Sequence, residues 1–237
     1  MWTDAVDLRD FYLSSLGLVA RRMIGRRIRL LWPDVQGLNV LGLGFAPPFL
    51  TPFRGEAERV VAMMPAAQGV MPWPADGPRL TTLVDEANLP LPDRAFDRVL
   101  LVHVVECAEQ VRPMMREVWR VLADGGRLIV VVPNRRGMWA HFERTPFGHG
   151  RPYSSAQMSH GLREAMFTPH RASAALYVPP VSSRMLLSSA GAWEKVGQRW
   201  FTSFAGVVVF EATKQIYAGN IVGETVRQPA YAPAATR

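Results

Sequence analysis

The 237 residues include one cysteine, Cys107. A lone cysteine excludes an intrachain disulfide and any cysteine-cluster metal site. It also makes a reducing cytoplasm the expected compartment. The five histidines are scattered; His141, His149, His160 and His170 read as polar surface groups. His103 and Glu106 stand three apart and could meet on one turn, but two residues do not make a metal site. No apolar run approaches the roughly 18 residues of a membrane span. The longest, Val207 to Phe210 and Leu128 to Pro133, have the length of strands. The start, Met-Trp-Thr-Asp, lacks a basic region followed by an apolar core, so no signal peptide is expected. No internal repeat is visible.

What the chain does have is a core's worth of apolar residues, 49% of the total, and a net charge of +7 with a pI near 10.3. Part of that charge is local: Arg21, Arg22, Arg26, Arg27 and Arg29 fall close together. Such a cluster can be drawn to nucleic acid or to an anionic membrane. No aromatic-and-basic recognition motif accompanies it, and a solvated helix face is the stronger reading.

The hydrophobic pattern gives the organisation. Asp7 to Leu31 reads as helical, with Leu8, Phe11, Tyr12, Ser15, Leu16, Val19, Met23, Ile24 and Ile28 on one side and arginines on the other. Leu38 to Leu43 reads as a buried strand running into the glycine turn of Gly42 and Gly44. Pro47 to Phe53 starts a short helix, since proline is tolerated in a first turn. Further strands are expected at Arg59 to Met64, Leu80 to Val84, Arg98 to His103 and Arg127 to Val132. Between the last two, Gln110 to Leu122 reads as a helix, closed by Ala123-Asp-Gly-Gly126 with a glycine for a left-handed cap. Alternation of this kind implies a mostly parallel sheet. Later come a helix at Ser154 to Ala165, a strand at Arg171 to Val178, a helix at Trp193 to Trp200 and a strand at Ala205 to Thr213. Three regions are expected: a helical extension over 1–35, the main domain over 36–215, and a disordered tail over 216–237.

Three stretches taken in order carry a family resemblance. They are Val40-Leu-Gly-Leu-Gly44, the run Asp85-Glu-Ala-Asn-Leu-Pro-Leu-Pro-Asp-Arg-Ala-Phe-Asp-Arg-Val99, and Met115-Arg-Glu-Val-Trp-Arg-Val-Leu-Ala-Asp-Gly-Gly-Arg-Leu-Ile-Val-Val-Val-Pro-Asn134. Together they resemble class I S-adenosylmethionine-dependent methyltransferases of the small-molecule branch called type 11. The resemblance implies an α/β fold: a Rossmann-like seven-stranded sheet, mostly parallel, with an antiparallel last strand. It also implies a cofactor, S-adenosylmethionine, across the carboxyl ends of the first four strands, which is where open α/β sheets hold ligands. Gly42, Gly44 and Phe45 match the turn beside the cofactor's methionine part. Met64 falls at the end of the second strand. Asp85, with Glu86 beside it, matches the adenine contact; a turn cap is the structural alternative. His103 matches the residue lining the methyl-transfer site.

Two departures stand out. The glycine turn has no acid before it and is followed by Phe45-Ala46-Pro47-Pro48, and proline offers no N–H. The second strand ends in Met63, Met64 and Pro65 where the family places an acid for the ribose hydroxyls; Gln68 could substitute from the loop. An unpaired buried hydroxyl costs about 1–3 kcal/mol. Ala66 to Trp73 has small, amide and aromatic residues in place of the acidic region, suited to an altered pocket or a protein contact. Phe147 to Tyr153 could form a lid, and Arg135 with Arg136 could meet an anionic substrate. Two functions follow. One is methyl transfer to a small-molecule acceptor, with His103 as candidate base and no catalytic residue otherwise assigned. The other is a non-catalytic methyltransferase-like protein that acts as a binding or regulatory partner of another protein.

Overall fold

The computed structural model of the chain describes residues 4–216. All but the first residue of the expected tail, and Met1 to Thr3, lie outside the described residues.

The N-terminal helical region is two helices, α1 (Ala5–Leu13) and α2 (Ser15–Leu31). Ser14 divides them: its backbone is extended, its N–H closes the end of α1, and its Oγ accepts from Gly17 N at 3.0 Å to cap α2. The periodicity alone does not show the break, because the apolar stripe continues across it. Gly17 makes the fold-back possible. A Cβ there would lie 1.8 Å from Phe11 O and 2.7 Å from Tyr12 Cα, so only a glycine admits the end of α1 so close to α2.

The sheet has seven strands: β1 (Asn39–Gly44), β2 (Arg59–Pro65), β3 (Thr81–Val84), β4 (Phe96–Val102), β5 (Leu122–Pro133), β6 (Phe167–Ala175) and β7 (Val207–Lys214). Their order is β3-β2-β1-β4-β5-β7-β6. Strands β1 to β5 pair in parallel, while β7 is antiparallel to both β5 and β6. The fold is therefore the expected α/β architecture with an antiparallel strand late in the chain. The central strands read as continuous apolar runs because both faces are covered. One face carries α1, α2 and the short α3 (Pro47–Leu50), with residues such as Leu8, Ile24 and Trp32 in its core. The other carries α4 (Val111–Val121) and α5 (Ser155–Glu164), with Met114, Val118 and Leu162 packed on β4 and β5. Helices α6 (Arg184–Ser188) and α7 (Ala190–Trp200) follow β6. Among the described residues no helix is long and apolar enough to cross a membrane.

The boundary between α4 and β5 differs from the sequence expectation. Leu122 already has the extended backbone of the strand, so no loop intervenes. Gly125 takes φ +74°, but inside the first part of β5 and not as a helix cap. For α5 the ends were legible: Ser154 and Gln157 form a capping box.

Chain order reverses between β1 and β4, which lie side by side with β2 beyond one and β5 beyond the other. The crevice outside their carboxyl ends is the ligand position of an open α/β sheet. Gly44, Met64, Asp85 and His103 all stand at or next to the carboxyl ends of successive strands here.

Candidate active site at the carboxyl ends of the strands

The glycine turn is closed onto the protein itself. Gly44 has φ +86°, and a Cβ on it would stand 2.3 Å from Val102 O and 2.8 Å from Val104 Cβ. At Gly42 a Cβ would stand 2.6 Å from both Ala46 Cβ and Leu50 Cδ1, so this glycine lets α3 settle on β1. The first N–H after the turn, that of Phe45, donates to Val102 O at 2.8 Å. Helix α3 then opens with Pro47 and Pro48, which have no N–H to offer.

Above this turn lies a side chain from the first helix. The Tyr12 ring stacks on Phe45 at 5.7 Å with an interplanar angle of 9°, and meets Phe49 edge-on. Its hydroxyl reaches His103 Nε2 at 2.7 Å, and His103 Nδ1 lies 3.1 Å from Glu106 Oε1. The set is satisfied when Tyr12 Oη–H donates to Nε2 and Nδ1–H donates to the carboxylate. All three residues are buried. Burial, reinforced by Glu106, raises the Tyr12 phenol well above its ordinary pKa, so it stays a donor at neutral pH. His103 itself adopts φ +53° at the end of β4.

Gln68 closes the arrangement from the loop after β2. Its Nε2 donates to His103 O, and its own carbonyl accepts from Ala5 N at 2.8 Å, which ties the start of α1 to the same loop. The bridge runs from the end of β2 to the end of β4, across β1. Phe147 covers His103 from the far side, 4.9 Å between ring centres, and is braced by Phe11 and Trp139. Beneath lies Cys107, whose thiol is pushed up to about 12 by burial and by Glu106. Gln68 Oε1 and Glu106 Oε2 are buried with no hydrogen-bond partner.

The structure thus brings Phe45 and His103, two of the expected site residues, against Tyr12, with Gly44 beside Phe45 in the turn, while Gly42 faces Ala46 and the α3 residue Leu50. Met64 ends β2 fully buried in the same core. Asp85 and Glu86 stand apart from it. Asp85 is exposed and its Oδ1 accepts from Ala87 N at 2.9 Å, capping its own turn; Glu86 is half-buried. The Ala66 to Trp73 loop is fastened down: Ala66 N donates to Val84 O, and Trp73 Nε1 donates to Thr51 Oγ1 at 3.3 Å. Arg135 and Arg136 are exposed, and Arg136 shares a cavity of about 550 Å³ with Arg27, Asn134 and Ser154. Among the described residues no three His, Cys, Asp or Glu side chains gather as a metal would require.

Sequence reasoning missed Tyr12 as a member of this site. The signal was there: a tyrosine on the apolar face of a helix needs a partner for its hydroxyl once buried. The partner, 91 positions away, was not legible from spacing.

S-adenosylmethionine does not fit these residues as they stand. The Tyr12 ring stacks on Phe45 beside the glycine turn, Gln68 ties the end of β2 to His103 O, and Met64 at the end of β2 carries no carboxylate for a ribose hydroxyl.

Sheet order and glycine turn together define the class, an α/β fold of the methyltransferase type. Residues 36–130 match the family model described as "Methyltransferase domain". A demethylmenaquinone methyltransferase of Thermus thermophilus is 28% identical over 158 residues, which span 65% of this chain and 64% of that protein. The fold is shared with a SAM-dependent methyltransferase of Thermotoga maritima, described as a possible histamine N-methyltransferase, at TM-score 0.62 and 17% identity, covering 87% of this chain and 94% of the other. It is shared as well with a Haloferax volcanii structure described as a complex between the Trm112 methyltransferase activator and a methyltransferase, at TM-score 0.58 and 15% identity, covering 81% and 89%.

Proposed function

We propose that this chain is a methyltransferase-family protein that acts by binding, as a partner or regulatory protein, and does not transfer methyl groups. The observation that carries the reading is the Gln68–His103–Tyr12 bridge over the glycine turn. Removing the bridge would not by itself restore a cofactor site, because the chemistry around it is also changed. Met64 and Pro65 offer no side-chain acceptor at the end of β2, and Asp85 is engaged in its own turn. A fold of this kind is a scaffold that hosts many functions, and the site decides which.

The test is isothermal titration of the full-length protein with S-adenosylmethionine and with its demethylated product. The expected result is no binding heat at roughly millimolar ligand. Saturable binding in the micromolar range overturns the proposal.

A second reading is favoured by the Tyr12–His103–Glu106 relay, by the two unpartnered acceptors beside it, and by the quinone methyltransferase relative. In it the chain methylates a small-molecule acceptor of the quinone type, and α1 withdraws to admit it. An acceptor hydroxyl standing where Tyr12 Oη stands would meet His103 Nε2 as a base oriented by Glu106. The same titration on a Tyr12→Ala, Gln68→Ala double variant separates the two: binding restored by opening the cleft supports the second reading.

A further inference from the structure

The outer face of α7 is built for water on one side only. Its inward residues are Ala190, Glu194 and Gly197, all buried. Gly197 has to be a glycine, since a Cβ there would lie 2.2 Å from the Tyr177 ring. One helical step round, Trp193, Val196 and Trp200 form an outward stripe at i, i+3 and i+7, and they are 41%, 49% and 71% exposed. The chain continues the stripe past the helix with Phe201 at 56% and Phe204 at 64%. Met138, in the turn beyond β5, adds to it and lines an apolar groove of about 170 Å³ with Trp193, Val196, Phe201 and Phe204; Trp200 stands outside that groove. Large exposed aromatics gathered in one patch mark an interaction site; scattered singly they would not.

The surroundings of the patch are basic. Lys195 and Arg199 are exposed on the next face of α7, and Arg184, Arg135 and Arg136 are exposed nearby in the chain and fold. Arg27 of α2 lies 3.8 Å from Glu194, which brings the arginine face of α2, with Arg26 exposed on it, beside α7. The inward Glu194 is the one acid in the helix. Burial raises its pKa, and Tyr177 N and the two arginines of α2 work against that shift, so its charge is turned away from the patch.

Exposed Trp and Phe on one side, Lys and Arg alongside them, and a net charge of +7 are the features of a helix that lies in the headgroup layer of a membrane. Tryptophan suits that layer because it has an apolar body and a polar edge, and long basic side chains can reach the lipid phosphates. A folded protein partner would suit the aromatics equally; the basic border on the patch favours an anionic bilayer. We propose that α7 and the Phe201–Phe204 turn dock this protein reversibly on the surface of a membrane containing anionic lipid. The docked face is at the carboxyl edge of the sheet, separated from the His103 cluster by Trp139 and Phe147. The inference does not depend on whether the cleft admits a cofactor.

The experiment is flotation of the full-length protein with two kinds of vesicle, pure phosphatidylcholine and phosphatidylcholine mixed with phosphatidylglycerol, at low and high salt. Binding is expected to the anionic vesicles at low salt and to weaken as salt screens the headgroups. Trp200→Ala with Phe201→Ala should leave the circular dichroism unchanged and lower the partition at least about tenfold. Lys195→Glu with Arg199→Glu should abolish the preference for anionic lipid. No flotation at low salt overturns the proposal. Flotation unchanged by the aromatic double variant also overturns it, because binding would then lie elsewhere. Light scattering is the third readout: a dimer that the aromatic double variant converts to a monomer would mean that the patch is covered by a second copy, and would likewise overturn it.

Discussion

The Tyr12 hydroxyl lies 2.7 Å from His103 Nε2, and the bond joins residues 91 positions apart. One end is in the first helix and the other is at the tip of the central strand pair. The N-terminal helices are thus part of the core that closes over the sheet. Conversion of Tyr12 to phenylalanine keeps the stacking on Phe45 and leaves His103 Nε2 without a donor, at an expected cost of about 1–3 kcal/mol. Conversion to alanine also removes the ring and should cost about 3–5 kcal/mol. Urea denaturation of both variants measures the difference.

Gly44→Ala should be among the most damaging small substitutions in the chain. The left-handed backbone costs about 1–2 kcal/mol for a residue with a Cβ, and the new atom would run into the Val102 carbonyl, which cannot move aside. Gly42→Ala keeps an ordinary backbone conformation and meets Ala46 Cβ and Leu50 Cδ1; Leu50 can rotate, while relief at Ala46 needs a small shift of α3. Thermal melts should therefore rank Gly44→Ala well below Gly42→Ala; the reverse order would mean that the turn is more open than described.

Asp85→Ala distinguishes a turn cap from a cofactor contact. Losing one exposed hydrogen bond to Ala87 N should cost under about 1 kcal/mol. The variant should bind S-adenosylmethionine no differently from the parent. A measurable change in ligand affinity would put Asp85 back in a binding pocket.

Acid sensitivity should be concentrated at Glu117. Its carboxylate accepts from Arg120 and from Leu89 N, and Arg120 in turn holds the carbonyls of Leu89 and Leu91. These bonds, that from Arg120 first, hold the Glu117 pKa below its ordinary 4.5. A lowered carboxylate pKa means stability that is present above 4.5 and lost as the pH falls through the folded value. Glu117→Gln should be less stable than the parent at neutral pH, and the gap should close on acidification. Denaturation midpoints across the acid range read this directly.

Most of the fold was legible because its signals are local and repeated. The run Arg98-Val-Leu-Leu-Val102 is a buried strand by composition, and Val111, Met114, Met115 and Val118 define one face of α4 by spacing. The Ser14 break was not legible, since Tyr12 and Leu16 keep the apolar spacing across it while the turn depends on how closely α1 approaches Gly17. The candidate site was half legible. Gly44 and His103 could be placed by order along the chain. Gln68 could be named from the loop, but as a ribose acceptor, whereas its amide donates to His103 O; Tyr12 could not be named, because it arrives from the first helix and only the folded chain brings it to His103.

The fold-back of α1 has a consequence for synthesis. Phe11 and Tyr12 leave the ribosome early, but their partners His103 and Phe147 follow roughly a hundred residues later. At about 5–20 residues per second the first helix waits on the order of ten seconds, with its aromatic face uncovered, before its seat exists. For that interval Leu8, Phe11 and Tyr12 form a sticky nascent segment, of the kind a ribosome-bound chaperone shields. The Tyr12–His103 contact thus joins the start of the chain to a residue made before β5, β6 and β7 exist.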